Sequence, residues 1–472
     1  MPFSRPIPLV GQAYKHRDAD VSAQTCKNYW PEFNKEANKI ITLQPFPGCK
    51  ASGTGSGEDG GMHTFKNVLY KVVDTTLYSE DNVGNRTSIG TIAGTGLCSF
   101  DDNGIEMIIV RQGNVYSYDG TTLTTATNSG FESPKYVTVL NSQAIYPGAN
   151  RRFIVSNAGV SVGDLITLNA LNYASKGRKG DDLVRPYVFK ERIYLFGNKT
   201  FEKWWNSGIG NPPVDPIQNG LTKSGLIAPW SIGSNDSTLY YLSNDFTVRA
   251  IRGDQLSQPI TTIPLVQEFK SYGTVADAIG FCLEFDDQHF YYLSFPSARK
   301  TWCYCQESNG WFELTTTNQE VGYRATSYAQ AYGRQYIAIG GNTYYLDSNT
   351  YKNGTETIIR ERVSQTIHAG LYAQGMEGSR LSMVSLEIVI KTKGLTTGQG
   401  SSPTVMVSYS DDNGRHWSAE RFLPGQKLGK YTWRVRTDQL GEFYERVIRV
   451  RVSDPVSNSI QSAKATFEMS MD

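Results

Sequence analysis

The sequence predicts an all-β fold: a β-propeller-like repeat array of about seven blades, preceded by an extended N-terminal arm and followed by a C-terminal β-sandwich. The first observation is a large number of short aromatic or β-branched runs between turn formers, such as FYYLSF after FDDQ and TYYL after GGN. The second observation is that these runs recur at regular intervals. The third is a change to longer, strictly alternating strands after residue 363.

The recurrence is carried by doublets of an apolar and an aromatic residue. Successive doublets are separated by 46, 38, 40, 46, 52 and 53 residues. A propeller blade takes roughly 40 to 50 residues, so the intervals predict about seven blades over residues 61–362. The second members of the doublets are Tyr70, Tyr116, Ile154, Tyr194, Tyr240, Tyr292 and Tyr345.

Two segments lie outside this array. Residues 1–60 are rich in Pro, Gly and polar residues and end in ASGTGSGEDGG, which predicts an extended arm and a Gly-rich loop. Residues 363–472 contain alternating strands such as TVMVSYS and RVIRVRVSD, which predict the sandwich, with a linker near residues 361–378. The best helical pattern is at residues 263–272, where Leu265, Val266 and Phe269 recur at helical spacing.

Composition argues against several classes of function. The net charge is +1 and charged residues make up 19% of the chain, so no basic excess is available to neutralise a run of phosphates. The sequence shows no apolar stretch of signal-peptide or membrane-span length, which predicts a protein made in the cytoplasm. The six cysteines are scattered, and we expect them to be free thiols.

Motifs that could carry chemistry are weak. Gly55, Gly57 and Gly60 formally match a dinucleotide fingerprint, but no buried strand precedes them and no helix follows. Cys303-Tyr-Cys305 has no second pair to complete a zinc site. His289 follows Asp286-Asp287, but that pair is also what a tight turn requires, so the sequence predicts neither catalytic residues, nor a cofactor, nor a metal.

One hairpin motif is more informative. Ser410, Asp412, Gly414 and Trp417 match the Asp-box pattern S-x-D-x-G-x-x-W, with His416 where Thr is usual. In such a hairpin Asp and Gly hold the turn and Trp packs beneath it. The motif predicts a structural turn and indicates nothing about glycoside chemistry.

Trp204 and Trp205 form an aromatic pair at a strand end. They could contact a partner, because Trp anchors interfaces, or they could pack between blades.

Several segments together resemble a known family. CKNYWPE (residues 26–32) followed by LQPFPG (residues 43–48) is similar to the opening of the tail-hub, or packaged-DNA stabilisation, proteins of short-tailed enterobacterial phages, although Trp30 is inserted between Tyr29 and Pro31. Further similar segments lie in the family's order along the chain. They are LFGNKTFEKWWNSG (195–208), LTKSGLIAP (221–229), a helix and hairpin (263–296) and SDPV (453–456).

The resemblance implies a structural protein of the virion tail and not an enzyme. It implies a six-subunit ring that caps the DNA exit channel below the portal and its adaptor ring, retains the packaged genome until ejection, and carries a trimeric tail needle and tailspikes. Within that frame, Tyr29, Trp30, Phe46, Trp204 and Trp205 are our candidate partner-binding residues. We expect the N-terminal arm to reach a neighbouring subunit, with no specific DNA sequence and no membrane as partner.

Two alternatives stay open at this stage. A carbohydrate- or receptor-binding tail module would also use rows of Tyr and Trp, but the sequence lacks the coiled-coil or β-helix repeats expected of a fibre. A propeller-type glycan hydrolase or lyase would need clustered acids or arginines in a pocket, and no such spacing is visible.

Overall fold

A computed structural model gives the structure of the chain. It describes residues 2–16, 18, 22–33, 40–127, 130–177, 180–253, 255–317, 321–393, 400–425 and 431–469.

In the described part of the chain, seven antiparallel sheets follow one another as the blades of a propeller. The innermost strands of successive blades lie side by side, and blade 7 returns to blade 1. Blade 1 comprises Asp59–Phe65, Val68–Val73, Thr76–Glu80 and Arg86–Thr91. Blade 2 comprises Ser99–Asp102, Met107–Arg111, Asn114–Tyr118 and Leu123–Thr125. Blade 3 comprises Thr138–Leu140, Gln143–Pro147, Arg152–Ser156 and Leu168–Ser175. Blades 4 and 5 comprise Leu183–Phe189, Arg192–Gly197, Phe201–Asn206 and Val214–Thr222; and Gly233–Ser234, Thr238–Leu242, Val248–Arg252 and Gln255–Leu256. Blades 6 and 7 comprise Ile279–Phe285, Gln288–Phe295, Lys300–Cys305 and Gly310–Glu313; and Ser327–Ala331, Arg334–Ile339, Asn342–Asp347 and Gly48–Ala51.

The prediction of an all-β propeller with about seven blades is confirmed. Each of the seven doublets falls in a different blade, on its second or third strand. These two strands are the most buried of a blade, because neighbouring blades cover both of their faces. The intervals vary partly because the doublet lies on the second strand in some blades and on the third in others.

The N-terminal segment differs from the prediction of a separate arm. Gly48–Ala51 pairs with Asn342–Asp347, with Cys49 opposite Leu346, and so supplies the fourth strand of blade 7. The first strand of blade 1 then begins at Asp59. Without this pairing the last blade would expose an unpaired edge and the ring would stay open, which is the physical reason for the arrangement. A short hairpin, Lys352–Asn353 and Glu356–Thr357, extends the same sheet.

Replacing Gly48 by alanine is expected to weaken this closure. An added Cβ would lie 2.7 Å from the Lys352 nitrogen and 2.7 Å from the Thr350 oxygen, both of which are backbone atoms that cannot rotate away. We expect a loss of about 1–3 kcal/mol in the free energy of unfolding, measured by urea titration. The control is Gly273→Ala, whose added Cβ meets no atom within 4 Å. Equal stability of the two variants would contradict the closure argument.

The C-terminal region packs two sheets face to face, and the N-terminal segment contributes strands to both. In the first sheet the strand order is Tyr29–Phe33, Ile41–Pro45, Ser459–Met469, Leu381–Lys391 and Thr432–Phe443, with Phe3–Pro6 paired to Ser459–Met469. In the second sheet the order is Thr25–Lys27, Arg360–Val363, Glu445–Val452, Thr404–Ser410 and Arg421–Pro424, with Ile367–His368 also paired to Glu445–Val452.

The propeller and the sandwich share one sheet. Thr25–Lys27 pairs in parallel with Gly310–Glu313, the outer strand of blade 6, and antiparallel with Arg360–Val363 of the sandwich. Blade 6 and the second sandwich sheet therefore form a continuous ten-stranded sheet. A common hydrophobic core extends across the junction, from Phe290 of blade 6 to Phe467 of the first sandwich sheet. The two regions are joined as one block of β-structure.

Helical structure is sparse, as the sequence predicts. The α-helix Ile263–Ser271 begins with a proline in its first turn and buries Leu265 and Phe269. Two short 3-10 helices lie at Pro229–Ser231 and Ala369–Leu371. Among the described residues, no helix has the length and apolar character needed to cross a membrane.

Candidate interaction surfaces

Three of the predicted partner-binding residues lie in the chain's own core. Tyr29, Trp30 and Phe46 are 0%, 2% and 6% exposed. The Trp30 and Phe46 rings contact Phe290 of blade 6 edge-on, with ring centres 5.4 and 5.9 Å away. These three aromatic residues were predicted to bind a partner, but in the structure they join the sandwich to the propeller. The reason is that strands of the N-terminal segment pair within the same chain.

The two residues of the Trp204-Trp205 pair differ in role: one packs between blades, and the other is exposed to a possible partner. Trp204 is 7% exposed and packs edge-on against Phe153 of blade 3, with ring centres 5.2 Å apart, while its Nε1–H donates to Glu202 Oε2 at 3.2 Å. Trp205 points to the opposite side of the strand and is 41% exposed. Trp204 therefore packs between blades, and Trp205 stays a candidate contact residue.

These neighbouring residues form a matched pair for mutation. Trp204→Ala is expected to reduce the free energy of unfolding by about 3–5 kcal/mol, because it opens a cavity between blades 3 and 4. Trp205→Ala is expected to change it by less than about 1 kcal/mol. Thermal unfolding of both variants measures the difference, and a larger loss from Trp205→Ala would contradict the assignment of faces.

The Asp-box residues form a compact hairpin turn. Ser410 Oγ donates to Asp412 Oδ1 at 2.6 Å and accepts the Gly414 N–H at 2.8 Å. His416 donates its backbone N–H to Asp412 Oδ1 at 2.8 Å, and this bond and its neighbours hold the pKa of Asp412 well below its usual range. Gly414 has φ +89°, and the Trp417 ring lies beside it. Each motif residue acts in holding the turn.

The other motifs have structural roles as well. Asp286 and Asp287 have φ +47° and +56° in a two-residue hairpin turn, the conformation that Asp tolerates. His289 Nδ1 lies 2.7 Å from Glu307 Oε1 at the surface. The glycines at 55, 57 and 60 lie in or beside the connection from blade 7 to blade 1. The six cysteines are free and buried, and the described residues contain no group of three or more metal ligands.

Burial makes the thiols poor nucleophiles. It raises the pKa of Cys26 and of Cys305 to about 11 and that of Cys98 to about 12. A thiolate is the reactive form of cysteine, so these side chains act as small core residues.

The propeller axis holds a polar cluster that sequence reasoning missed. Arg185, on the inner strand of blade 4, places its guanidinium carbon 5.0 Å from the ring centres of both Tyr136 and Trp230. Its Nη1 donates to the Pro229 carbonyl at 2.7 Å, and burial lowers the pKa of the guanidinium. A small cavity of about 170 Å³ lies beside it, lined by residues of the inner strands and of the loops that precede them.

A second polar pair lies close to the same axis. His63 Nε2 lies 2.7 Å from Asp102 Oδ2. Although burial opposes the shift, this hydrogen bond and the His63 charge hold the pKa of Asp102 below its usual value. Burial raises the pKa of neighbouring Asp101, whose Oδ2 accepts the Val139 N–H at 2.7 Å. The axis is therefore lined by side chains that hydrogen bonds and ring contacts hold in place, and the remaining space is small.

Buried arginines fasten the junction between the two regions. Arg362 is 1% exposed and donates to the carbonyls of Leu9, Gln12 and Thr25 at 2.7, 3.2 and 3.3 Å. Arg360 is fully buried, donates to the Phe46 carbonyl at 3.3 Å, and has its pKa lowered to about 10 by burial. The sequence RERV places both arginines on the same face of a strand, and both are buried. This alternation was the one sign in the sequence that the two arginines could be buried.

Comparison with known proteins follows the same division of the chain. A family model described as the β-propeller of bacteriophage P22 Gp10 matches residues 5–351, and one described as its β-sandwich matches residues 371–468. No curated protein matches the chain.

Solved structures share only remote similarity. The WD40 domain of Neurospora crassa Pan2 is 10% identical, with 62% of this chain and 89% of that chain covered and a TM-score of 0.42. The N-terminal domain of Nup159 is 9% identical, with 68% and 98% covered and a TM-score of 0.41.

The two family matches together span nearly the whole chain and coincide with the propeller and the sandwich. The chain belongs to the bacteriophage P22 Gp10 family of structural tail proteins, which stabilise packaged DNA.

Proposed function

We propose that this protein is the hub of a short-tailed phage tail, a ring of six copies that caps the portal–adaptor channel and retains the packaged genome. The observation that carries the proposal is the family match over both regions of the chain. In this role the protein binds the adaptor ring on one side, carries the trimeric needle and the tailspikes on others, and is assembled into the virion in the host cytoplasm.

The geometry supports a mechanical role. A plug must resist the pressure of packaged DNA without local unfolding, and local stability is highest where strands are paired and buried. Here the propeller ring is closed by its own N-terminal strand, and the sandwich continues the sheet of blade 6. The protein is thus built as one block whose parts cannot hinge apart without breaking a β-sheet.

The electrostatics fit a seal made of protein contacts. The net charge of +1 gives no surplus of cations for a groove that follows the phosphates of DNA. Side chains around Arg185 and His63 line the propeller axis and leave little space in it. We therefore place the DNA path outside the individual propeller, on the axis of the proposed ring.

Mass measurement in solution tests the proposal. The purified full-length protein is measured alone and after mixing with a preassembled portal–adaptor complex. We expect the complex to gain the mass of about six copies. A protein that ignores this complex and binds glycans on an array would overturn the hub assignment in favour of a carbohydrate-binding tail module.

A further inference from the structure

A concave site lies where the N-terminal segment meets the sandwich, beside the strand Thr25–Lys27 that pairs with the outer strand of blade 6. We call it the rim cleft. It has a volume of about 410 Å³. Its walls are the residues around the Lys15–Ala23 bridge, the strands Thr25–Lys27 and Arg360–Val363, the Asp-box turn and the strand Glu445–Val452.

The charges that line the rim cleft do not balance. Lys15, Lys27 and Arg449 face Glu361 as the one lining carboxylate among the described residues, which leaves an excess of two positive charges with His16 neutral. The side chains of Lys27 and Arg449 are only 17% and 19% exposed, and each lies near one carboxylate, Glu361 at 3.9 Å and Glu420 at 3.6 Å. Both carboxylates are shared with Arg451, so cations still outnumber carboxylates here.

The one lining carboxylate is already shared. Glu361 lies 3.9 Å from Lys27 Nζ and 3.6 Å from Arg451 Nε, outside the cleft wall. The Arg449 guanidinium carbon lies over the Trp417 ring, 4.2 Å from its centre, its Nε donates to Ser408 Oγ at 3.0 Å, and its Nη2 lies 3.6 Å from Glu420 Oε1. Lys15 is exposed, and no ion-pair partner for it lies among the described residues. The cleft therefore holds Lys27 and Arg449 in place through these contacts and leaves the exposed Lys15 available to an anionic group.

The propeller has an unequal distribution of charge between its two faces. We define the acidic face as the one formed by the turns after the first and third strands of each blade. In their described residues these turns carry nine carboxylates and two lysines, and the turns and loops of the opposite face carry eight carboxylates and eight basic residues. The nine carboxylates are Asp81, Glu106, Asp119, Asp164, Glu191, Asp236, Asp286, Asp287 and Glu307, of which Glu106 is fully buried.

We propose that the rim cleft receives a carboxylate-bearing turn from the acidic face of a second copy of this chain. The inference rests on the proposed ring, because a cyclic ring of identical subunits needs two different, complementary surfaces on each subunit. A positive cleft and a negative face on a nearly neutral chain are such a pair. Complementary charge would also set the register of the ring as the copies meet.

An acidic protein segment suits the rim cleft better than a nucleic acid. A DNA backbone is bound by a track of cations along many phosphates. Three cations of the first sandwich sheet pair with carboxylates instead, Arg434 and Lys464 with Glu387 at 3.1 and 3.4 Å and Arg436 with Asp438 at 2.9 Å. These three cations therefore do not extend the cleft into a track for phosphates.

Zero-length cross-linking tests which surfaces of two neighbouring copies are in contact. A mixture of unlabelled and ¹⁵N-labelled full-length protein is assembled on the portal–adaptor complex and treated with a carbodiimide, which joins an amine to a carboxylate in direct contact. We expect mixed-isotope peptides that join Lys15 or Lys27 to a carboxylate of the acidic face. Six bound copies with links only elsewhere, or with Lys15 linked to the portal or adaptor, would overturn this inference while the hub assignment stands. Absence of bound copies would overturn both.

A charge-reversal pair gives an independent measurement. Lys15→Glu is expected to weaken assembly on the complex by about tenfold or more at low salt, and less at high salt. Lys199→Glu makes the same change of charge at an exposed turn of blade 4, on the propeller face opposite the acidic face. It is expected to alter assembly less than about twofold. Both variants are required to unfold at the wild-type temperature. Equal effects of the two would overturn the assignment of the rim cleft.

Discussion

Replacement of Trp30 by alanine is expected to lower the free energy of unfolding by about 3–5 kcal/mol. The side chain is 2% exposed and meets Phe290 of blade 6 edge-on, so its loss leaves a cavity at the junction of sandwich and propeller. The surrounding strands belong to two sheets and cannot both collapse into that space. Urea unfolding followed by circular dichroism measures the loss.

Two further substitutions separate this effect from a general sensitivity of the strand. Phe33→Ala lies on the same strand, Tyr29–Phe33, but Phe33 is 38% exposed, and we expect a loss below about 1 kcal/mol. Trp30→Phe keeps an aromatic ring and removes an indole N–H that has no hydrogen-bond partner, so we expect less than half of the loss seen with alanine. A Phe33→Ala loss as large as that of Trp30→Ala would show that the junction is not the source.

Replacement of Arg446 by alanine is expected to cost about 2–4 kcal/mol, because it removes a packed side chain and leaves the buried Leu440 carbonyl without its donor, while Asp411, 43% exposed, stays hydrated. The loss is measured as a lower midpoint of urea unfolding at unchanged slope. Arg446 is 1% exposed and binds Asp411 through two bonds, Nε–Oδ1 at 2.6 Å and Nη2–Oδ2 at 2.8 Å. Its Nη1 also donates to the Leu440 carbonyl at 2.8 Å. The guanidinium lies between the rings of Tyr409 and Phe443, 4.1 and 4.2 Å from their centres.

The matched control for this prediction is Arg436→Ala. Arg436 is 60% exposed and pairs with Asp438, which is 55% exposed, so water screens the interaction. We expect a change below about 0.5 kcal/mol. Arg446→Met would restore the apolar contacts but leave the Leu440 carbonyl without its donor, and is expected to recover only part of the loss. Full recovery would mean that packing alone accounts for Arg446.

The blade pattern was readable from the sequence because it is local. A strand flanked by turn formers is specified by its own residues, and doublets such as Tyr291-Tyr292 mark strands that are covered on both faces. The helix Ile263–Ser271 was readable for the same reason, since Pro264 and the spacing of Leu265 and Phe269 act within one segment. The resemblance of the chain to tail-hub proteins rested on such local segments and is confirmed by the family matches.

The placement of the N-terminal segment was not readable in this way. Its Pro and Gly content predicts an arm, and the aromatic residues Tyr29, Trp30 and Phe46 suggest partner contacts. In the structure the partner is the chain itself, through pairings such as Cys49 with Leu346 and Lys27 with Glu361. The sequence of a strand of three to five residues does not specify which distant sheet edge the strand will pair with.

The sequence by itself determined the all-β class, the approximate number of blades, the change to a sandwich near residue 363 and the structural role of the Asp-box turn. Those features depend on alternation and turn chemistry within short windows. Only the tertiary structure decided that residues 48–51 close the ring, that blade 6 and the sandwich share a sheet, and that Lys15, Lys27 and Arg449 line one cleft. These features depend on contacts across more than 280 residues of chain, as between Lys27 and Glu313, where pairing is chosen by the burial of whole sheets.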